Sequence, residues 1–235
     1  MGASGVVDEN GSGGTGAAEP SDPAARGIEG GASAERLLLF TDAVAAISIT
    51  LLILPLVDLV PEAASAHEGP SKVITDHLDQ IWSFLLSFVV IANIWLEHHR
   101  AFSTVAKLTR PLMVWNMGWL LSVVVLPLPT EMIGSFGGQD VFVGAFYYTT
   151  LLAGVVCRLG MLWILKSAPE LLEGDDRERA QRRIEDMYAD GYLTAVALVV
   201  AFAIALVVPT LMYYSLLLLA VPPRLRGRRA RRATR

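Results

Sequence analysis

Long blocks without a charged residue limit what this chain can fold into. Residues 111–130 contain no charged side chain, and neither do residues 191–221. An uncharged apolar stretch of about 18 or more residues is typical of a transmembrane helix, because in lipid the helix bonds every backbone polar group internally. Only 18% of the 235 residues are charged, whereas soluble domains carry about 25%. The sequence therefore predicts an all-α, polytopic membrane protein.

The hydropathy pattern predicts six spans. The last charge-free block would measure roughly 46 Å as one helix at about 1.5 Å per residue, which is longer than a bilayer core of about 30 Å. Pro209 lies inside this block and can end a helix, so we divide the block into two spans. The six predicted spans cover residues 35–57, 78–99, 111–130, 140–166, 187–208 and 210–222.

Acidic and basic loops alternate along the chain. Cytoplasmic loops carry an excess of Lys and Arg. The loop after span 1 holds one basic residue, Lys72, among five acidic ones, and the loop after span 3 holds only Glu131 and Asp140. The loops after spans 2 and 4 are basic, and the last twelve residues hold seven arginines and no acid. Six spans put these basic segments and both termini in the cytoplasm, and five spans do not.

Three regions follow from this pattern. Residues 1–34 are rich in Gly, Ala and Ser and are predicted to be disordered. Residues 35–222 form the membrane domain, and residues 223–235 form a basic tail beside the anionic lipids of the inner leaflet. We expect a multi-pass protein of the cell membrane with lipids as partners, and we expect no nucleic acid as a partner. No motif for an enzyme, a cofactor or a resident metal is recognisable, and the sequence lacks the TVGYG filter of potassium channels.

Several polar side chains lie inside the predicted spans. Ionisable groups cost at least about 2.5 kcal/mol each at the bilayer centre, so they normally face other helices or a cavity. They could form an ion path or proton relay, or a hydrogen-bonded network that holds helices together; for Asp42 and Asn116 we favour the network. Arg158 could extend to the cytoplasmic surface. These residues are Arg36, Asp42, Asn93, Glu97, His98, Asn116 and Arg158.

Span 1 has two different faces. At about 100° per residue, Ile47, Leu51 and Leu54 project along one narrow stripe, and Thr50 and Asp58 lie beside it. Asp42 projects to the opposite side. The acidic residue could therefore bond to neighbouring helices while the apolar stripe faces a symmetry axis. A stripe that faces lipid would have the same periodicity.

The segment RLLLFTDAVAAISITLLILPL resembles the R-x-x-x-F-S-D signature that opens the first helix of the transmembrane protein 175 family. This family comprises the lysosomal potassium channel and smaller bacterial relatives. SFVVIANIWLEHH resembles its second helix through Trp95 and His98, and LMVWNMGWLLSVVVLPLPT resembles its third through Asn116 and the Pro-x-Pro-Thr ending. Thr41 replaces the serine of the signature. Over spans 4 to 6 the resemblance rests on hydropathy and spacing.

The resemblance implies a potassium-permeable channel, with potassium as the permeant ion, that assembles as a tetramer of six-helix subunits. It implies that the first helix of each subunit lines the pore. The constriction residues would be Ile47, Leu51 and Leu54, with Thr50 as the threonine associated with selectivity. We place Asp58 at the outer mouth. The interhelical polar network implied by the resemblance comprises Arg36, Phe40, Thr41, Asp42, Trp95, His98 and Asn116.

Two other functions remain open at the level of sequence. A secondary transporter or proton pathway could use Asp42, Glu97 and His98 as relay groups. A non-transporting membrane scaffold could use the arginine-rich tail as its binding element. Ion flux separates these possibilities, because a channel gives currents that reverse at the potassium equilibrium potential and a coupled carrier needs a second ion.

Overall fold

A computed structural model of the chain describes residues 23–67, 69–136, 140–172 and 177–207. In this part of the chain the regular secondary structure is entirely helical, apart from one isolated β-bridge. The α-helices are α1 Pro23–Leu51, α2 Leu54–Ser65, α3 Pro70–Thr75, α4 Leu78–Phe102, α5 Arg110–Val125, α6 Pro127–Phe136, α7 Val141–Ser167 and α8 Arg177–Val207, and a 3₁₀ turn covers Pro169–Leu171.

Five segments of the described chain are long and apolar enough to cross a membrane. The first four contain the first four predicted spans almost entirely, and the fifth contains most of the fifth predicted span. The sixth predicted span, 210–222, and the basic tail lie outside the described residues. The five segments are Ser33–Ser65, Leu78–Phe102, Arg110–Phe136, Val141–Ser167 and Arg177–Ile204.

Several boundaries differ from the sequence prediction. Helix α1 begins at Pro23, so the end of the segment predicted to be disordered is helical. Helix α8 begins at Arg177, ten residues before the predicted start at 187. The prediction missed these residues because hydropathy does not detect a polar helical segment. The third span continues to Phe136. It consists of α5 and α6, which meet at Leu126 immediately before Pro127, a residue that cannot donate a backbone hydrogen bond.

An elbow interrupts the first span between α1 and α2. The backbone N–H of Ile53 bonds to the Thr50 carbonyl at 3.4 Å instead of continuing the α-helical pattern. Pro55 follows in the first turn of α2, where its missing N–H is tolerated. The side chain of Leu52, at the elbow, is buried in the bundle with 4% exposure. The span therefore reaches Ser65, beyond the predicted end at residue 57, as two helical segments.

Helix α7 packs against α5, α6 and α8, and α1 packs against α4 and α5. Small residues bring α5 and α7 close together, as is common where helices associate in lipid. A Cβ atom at Gly154 would lie 2.6 Å from the Ser122 hydroxyl oxygen, and a Cβ at Gly160 would lie 2.6 Å from the Trp115 ring. A side chain at Gly160 would displace the rigid Trp115 ring, whereas a side chain at Gly154 would require the Ser122 hydroxyl to rotate.

The segments that follow α4 and α7 meet at one end of the bundle. Val105 and Leu172 form an antiparallel β-bridge, and the N–H of Ala106 donates to the Leu171 carbonyl at 2.8 Å. These are the two loops that the sequence marks as basic. Both basic loops consequently lie at the same end of the bundle.

Candidate functional site

A chain of hydrogen bonds joins α1, α4 and α5 inside the bundle. The Asn116 amide nitrogen donates to the Thr41 hydroxyl at 3.0 Å, and the Asn116 amide oxygen accepts a bond from His98 Nε2 at 2.8 Å. All three residues are fully buried. Since one amide supplies both a donor and an acceptor, Asn116 forms hydrogen bonds to α1 and to α4 at the same time. The hydroxyl of Thr41 is thus bonded to α5.

Asp42 connects α1 to α4 through its carboxylate. One oxygen accepts a bond from the Trp95 indole nitrogen at 2.8 Å, and the other accepts from His99 Nδ1 at 2.9 Å. Trp95 and His99 are four residues apart and therefore share one face of α4. The sequence prediction included Trp95 but not His99, although this spacing relates them. A carboxylate in a membrane span is thus bonded on both oxygens, which lowers the cost of its burial.

Three consecutive residues of α4 face three different helices. Glu97 lies 3.6 Å from Arg158 of α7, His98 bonds to α5, and His99 bonds to α1. Successive helical residues point about 100° apart, so one turn of α4 can reach the surrounding helices in this way. Glu97 also accepts a 2.9 Å bond from Arg100.

Arg158 does not extend to the surface of the bundle, although its sequence position would allow it to extend toward the cytoplasmic side. Its side chain is buried among the helices, with 8% exposure, and forms the ion pair with Glu97. The His98 ring is stacked between Phe102 and Trp119, with ring centroids 4.8 and 3.9 Å away. Aromatic and charged contacts thus surround this turn of α4 and hold α4 to α5 and α7.

A second polar cluster, absent from the sequence prediction, lies toward the opposite end of the bundle. The Ser83 hydroxyl donates to the Thr130 carbonyl at 2.9 Å, the Thr130 hydroxyl lies 2.9 Å from the Ser87 hydroxyl, and Ser87 lies 3.1 Å from the Tyr147 hydroxyl. These side chains come from α4, α6 and α7. The spacing of Ser83 and Ser87, four residues apart, is the one sequence signal for them.

The apolar stripe of span 1 faces away from the other helices of the subunit. Ile47, Leu51 and Leu54 are 58%, 40% and 49% exposed, whereas Leu52 is 4% exposed. Thr50 and Asp58 are exposed as well. The Thr50 hydroxyl donates to the Ile47 carbonyl at 2.7 Å, so its oxygen retains free lone pairs.

Two residues assigned to the polar network do not join the hydrogen-bonded cluster. Arg36 is exposed, and Phe40 is 52% exposed. The described part of the chain thus brings together Thr41, Asp42, Trp95, His98 and Asn116, while Arg36 and Phe40 lie on the open side of α1.

Five membrane-capable helical segments, four of them joined by polar contacts inside the bundle, define a multi-pass helical membrane protein. Residues 36–127 match the family model described as endosomal/lysosomal potassium channel TMEM175. A potassium channel of Chamaesiphon minutus is 30% identical over 173 residues, which cover 69% of this chain and 82% of that protein. The chain belongs to the TMEM175 family, a family of ion channels and not of enzymes.

Other relatives are matched over less of their length. A potassium channel of Streptomyces collinus is 34% identical over 134 residues, covering 54% of this chain and 62% of that protein. The endosomal/lysosomal proton channel TMEM175 of Mus musculus is 28% identical over 125 residues, covering 52% of this chain and 24% of the mouse protein.

A solved structure shares the fold. It is the crystal structure of a lysosomal potassium-selective channel TMEM175 homolog from Chamaesiphon minutus, with a TM-score of 0.69 and 23% sequence identity. The match covers 83% of this chain and 98% of that one.

Proposed function

We propose that this protein is a potassium-permeable cation channel whose pore is lined by the first span of each subunit. The observation that carries the proposal is the division of that span into two faces. One face bonds to α4 and α5 through Asp42 and Thr41. The other face presents Ile47, Leu51 and Leu54 away from the subunit. An exposed stripe with a tightly held rear face suits a helix that surrounds an axis shared with other subunits.

The chemistry of the stripe indicates how such a pore would control ions. Around a symmetry axis, Ile47, Leu51 and Leu54 would form stacked apolar rings, and water leaves a sufficiently narrow apolar ring. Ions then meet a barrier without a charged filter or a lid. Thr50 lies beside these rings, and its free lone pairs can replace part of the hydration shell of a passing cation.

Relatives named potassium channel in two bacteria, and proton channel in mouse, support cation permeation in general. A proton relay through Asp42, Glu97 and His98 is less favoured. Asp42 of α1 bonds to α4, whereas Glu97 and His98 of α4 face α7 and α5. The rings of Phe102 and Trp119 enclose His98. These contacts suit a network that holds helices together.

We further propose that both termini lie in the cytoplasm of a cell-membrane protein. The basic loops after α4 and α7 meet at one end of the bundle, and positively charged loops favour the cytoplasmic side. The arginine-rich tail, residues 223–235, would then lie beside anionic lipids.

The function is tested by flux into liposomes that contain the purified protein. We expect potassium to pass down its gradient faster than sodium, and we expect currents to reverse near the potassium equilibrium potential. Uptake that requires a second ion would identify a coupled carrier instead. An absence of flux, with the protein correctly folded, would favour the scaffold.

The first prediction concerns assembly. One subunit contributes a single stripe, which cannot enclose a path alone, and we expect four copies. Native mass measurement in mild detergent is expected to give four times the chain mass of 25.4 kDa. A stable monomer that still conducts would contradict this stoichiometry.

The second prediction concerns Asp58 at the outer mouth. A ring of such carboxylates concentrates cations near the entrance. Asp58→Asn should reduce conductance by roughly twofold or more at about 0.01 M ionic strength, where the Debye length is about 30 Å, and have little effect near 1 M, where it is about 3 Å.

Asp79 provides the control for Asp58. It is also an exposed acid of the acidic region that follows span 1, but it belongs to the first turn of α4. Asp79→Asn should change conductance less than Asp58→Asn at every salt concentration. A loss of conductance in Asp58→Asn that does not depend on ionic strength would rule out local concentration as the mechanism.

A further inference from the structure

A small polar cavity lies directly behind the elbow of the first span. Its walls come from three places: Leu52, Pro55 and Leu56 at the elbow, Gln80 and its neighbours on α4, and Thr130 and its neighbours on α6. The cavity has a volume of about 10 Å³, which is close to the minimum that holds one water molecule. The remaining lining residues are Ser83, Phe84, Pro127, Glu131 and Gly134.

One wall of the cavity carries an enclosed acceptor. The amide oxygen of Gln80 is shielded from solvent and has no hydrogen-bond partner within the described ranges. A buried acceptor without a partner costs about 1–3 kcal/mol, so such groups in native proteins are usually bonded to an ordered water. The backbone of α4 is in close contact with α6 here, because a Cβ at Gly134 would lie 3.3 Å from the Gln80 Cα atom.

The other polar groups of the lining are suited to share the same water. The Ser83 and Thr130 hydroxyl protons are engaged within the second polar cluster and with the Leu126 carbonyl, which leaves oxygen lone pairs. Glu131 accepts a bond from Ser135 through one oxygen and has a second oxygen to offer. A buried water typically forms about three hydrogen bonds, within a range of about two to four. A water that donates to Gln80 and to one of these oxygens forms two of them, and it can accept a third.

The elbow can supply a hydrogen-bond donor to a water in this cavity. Pro55 and Leu56 belong to the first turn of α2, and no side chain caps that turn. Pro55 has no N–H, but an N–H group in the first turn of a helix has no partner within the helix, so that of Leu56 can donate to a water oxygen. The elbow, the acceptors and the size of the cavity are therefore all suited to one water molecule.

We propose that this cavity binds a single ordered water that fixes the elbow of the first span to α4 and α6, and that Gln80 is a positioning residue for the pore-lining helix. Leu54, one of the residues of the apolar stripe, follows the elbow directly. The water binding stands on the cavity alone, whereas the effect on conduction rests on the proposed channel function. Loss of the water should change how firmly the stripe is held, although Gln80 itself does not line the stripe.

The test compares Gln80→Met, which keeps a similar length and removes the acceptor, with the wild-type chain. A structure at a resolution that shows ordered water is expected to contain one water within hydrogen-bond distance of the Gln80 amide oxygen, and none in Gln80→Met. Single-channel recording is expected to show an open-to-closed ratio changed by about three- to tenfold, which corresponds to the net contribution of one hydrogen bond. The reversal potential should stay the same.

Gln181→Met serves as the matched control, because Gln181 also has an enclosed amide oxygen without a partner in the described residues but lies on α8, away from the elbow. It should leave the open-to-closed ratio unchanged. No water beside Gln80 in the wild-type structure would overturn the proposed site whether or not the protein conducts. A water lost in Gln80→Met with an unchanged open-to-closed ratio, in a protein that conducts, would overturn the positioning role.

Discussion

Leu54→Ala and Ile47→Asn are expected to increase current and to weaken discrimination between potassium and sodium. The first change widens one apolar ring and the second makes another ring wettable, so both lower the barrier that dewetting creates. In a tetramer each substitution occurs four times. About 0.4 kcal/mol per subunit is then enough to change the rate of permeation by roughly tenfold. Planar-bilayer currents with potassium and sodium on opposite sides measure both effects.

Leu52→Ala is the matched control, because it removes the same atoms from the opposite face of the span. Leu52 is 4% exposed and Leu54 is 49% exposed in the subunit. Truncation of a buried leucine costs about 2–5 kcal/mol. We therefore expect Leu52→Ala to lower thermal stability and to leave selectivity nearly unchanged, while Leu54→Ala does the reverse. If Leu52→Ala alters selectivity and the stripe variants do not, the pore face has been assigned to the wrong side of the span.

Asp42→Ala is expected to reduce the yield of assembled protein severely, with little change in the ion preference of the channels that remain. The substitution removes the acceptor of both the Trp95 indole and the His99 ring. Both donors are only partly buried, and the His99 side chain is 38% exposed. Each lost bond therefore costs about 0.5–1.5 kcal/mol, and the two together weaken the attachment of α1 to α4. The tetramer yield in mild detergent and the reversal potential measure the two parts of this prediction.

Asp42→Asn separates the loss of hydrogen bonds from the loss of charge. Its amide oxygen can still accept from Trp95, but the second position becomes a donor. His99 then has to present Nδ1 as an acceptor, which requires the other tautomer of its ring. We expect an intermediate yield. Normal yield combined with altered selectivity in Asp42→Ala would instead assign this carboxylate to the ion path.

Much of the fold can be predicted from the order of apolar and charged residues. A charge-free stretch of sufficient length has to be a helix in lipid, and this physical requirement is the same whatever the helix packs against. The alternation of basic and acidic loops predicts the topology, because cytoplasmic loops of membrane proteins carry an excess of Lys and Arg. The two faces of span 1 were also predictable, because the angle between side chains depends on their separation along one helix.

The particular partners of the polar residues could be decided only by the tertiary structure. His99 meets Asp42, Arg158 pairs with Glu97, and the Ser83 hydroxyl bonds to the Thr130 carbonyl. Each of these contacts joins two different helices. Periodicity within a helix gives the direction of a side chain relative to its own axis, but it does not say which helix lies in that direction.

The elbow at Leu52 also depends on the tertiary structure. Pro55 predicts that the regular bonding of the span can be interrupted nearby, and the sequence goes no further than that. The burial of Leu52 against the bundle and the polar cavity behind it depend on α4 and α6. The sequence by itself determined the five membrane-spanning segments of the described residues and the stripe on the first of them, because both follow from lipid and from helical geometry. Only the packing of those helices decided which polar groups are bonded together.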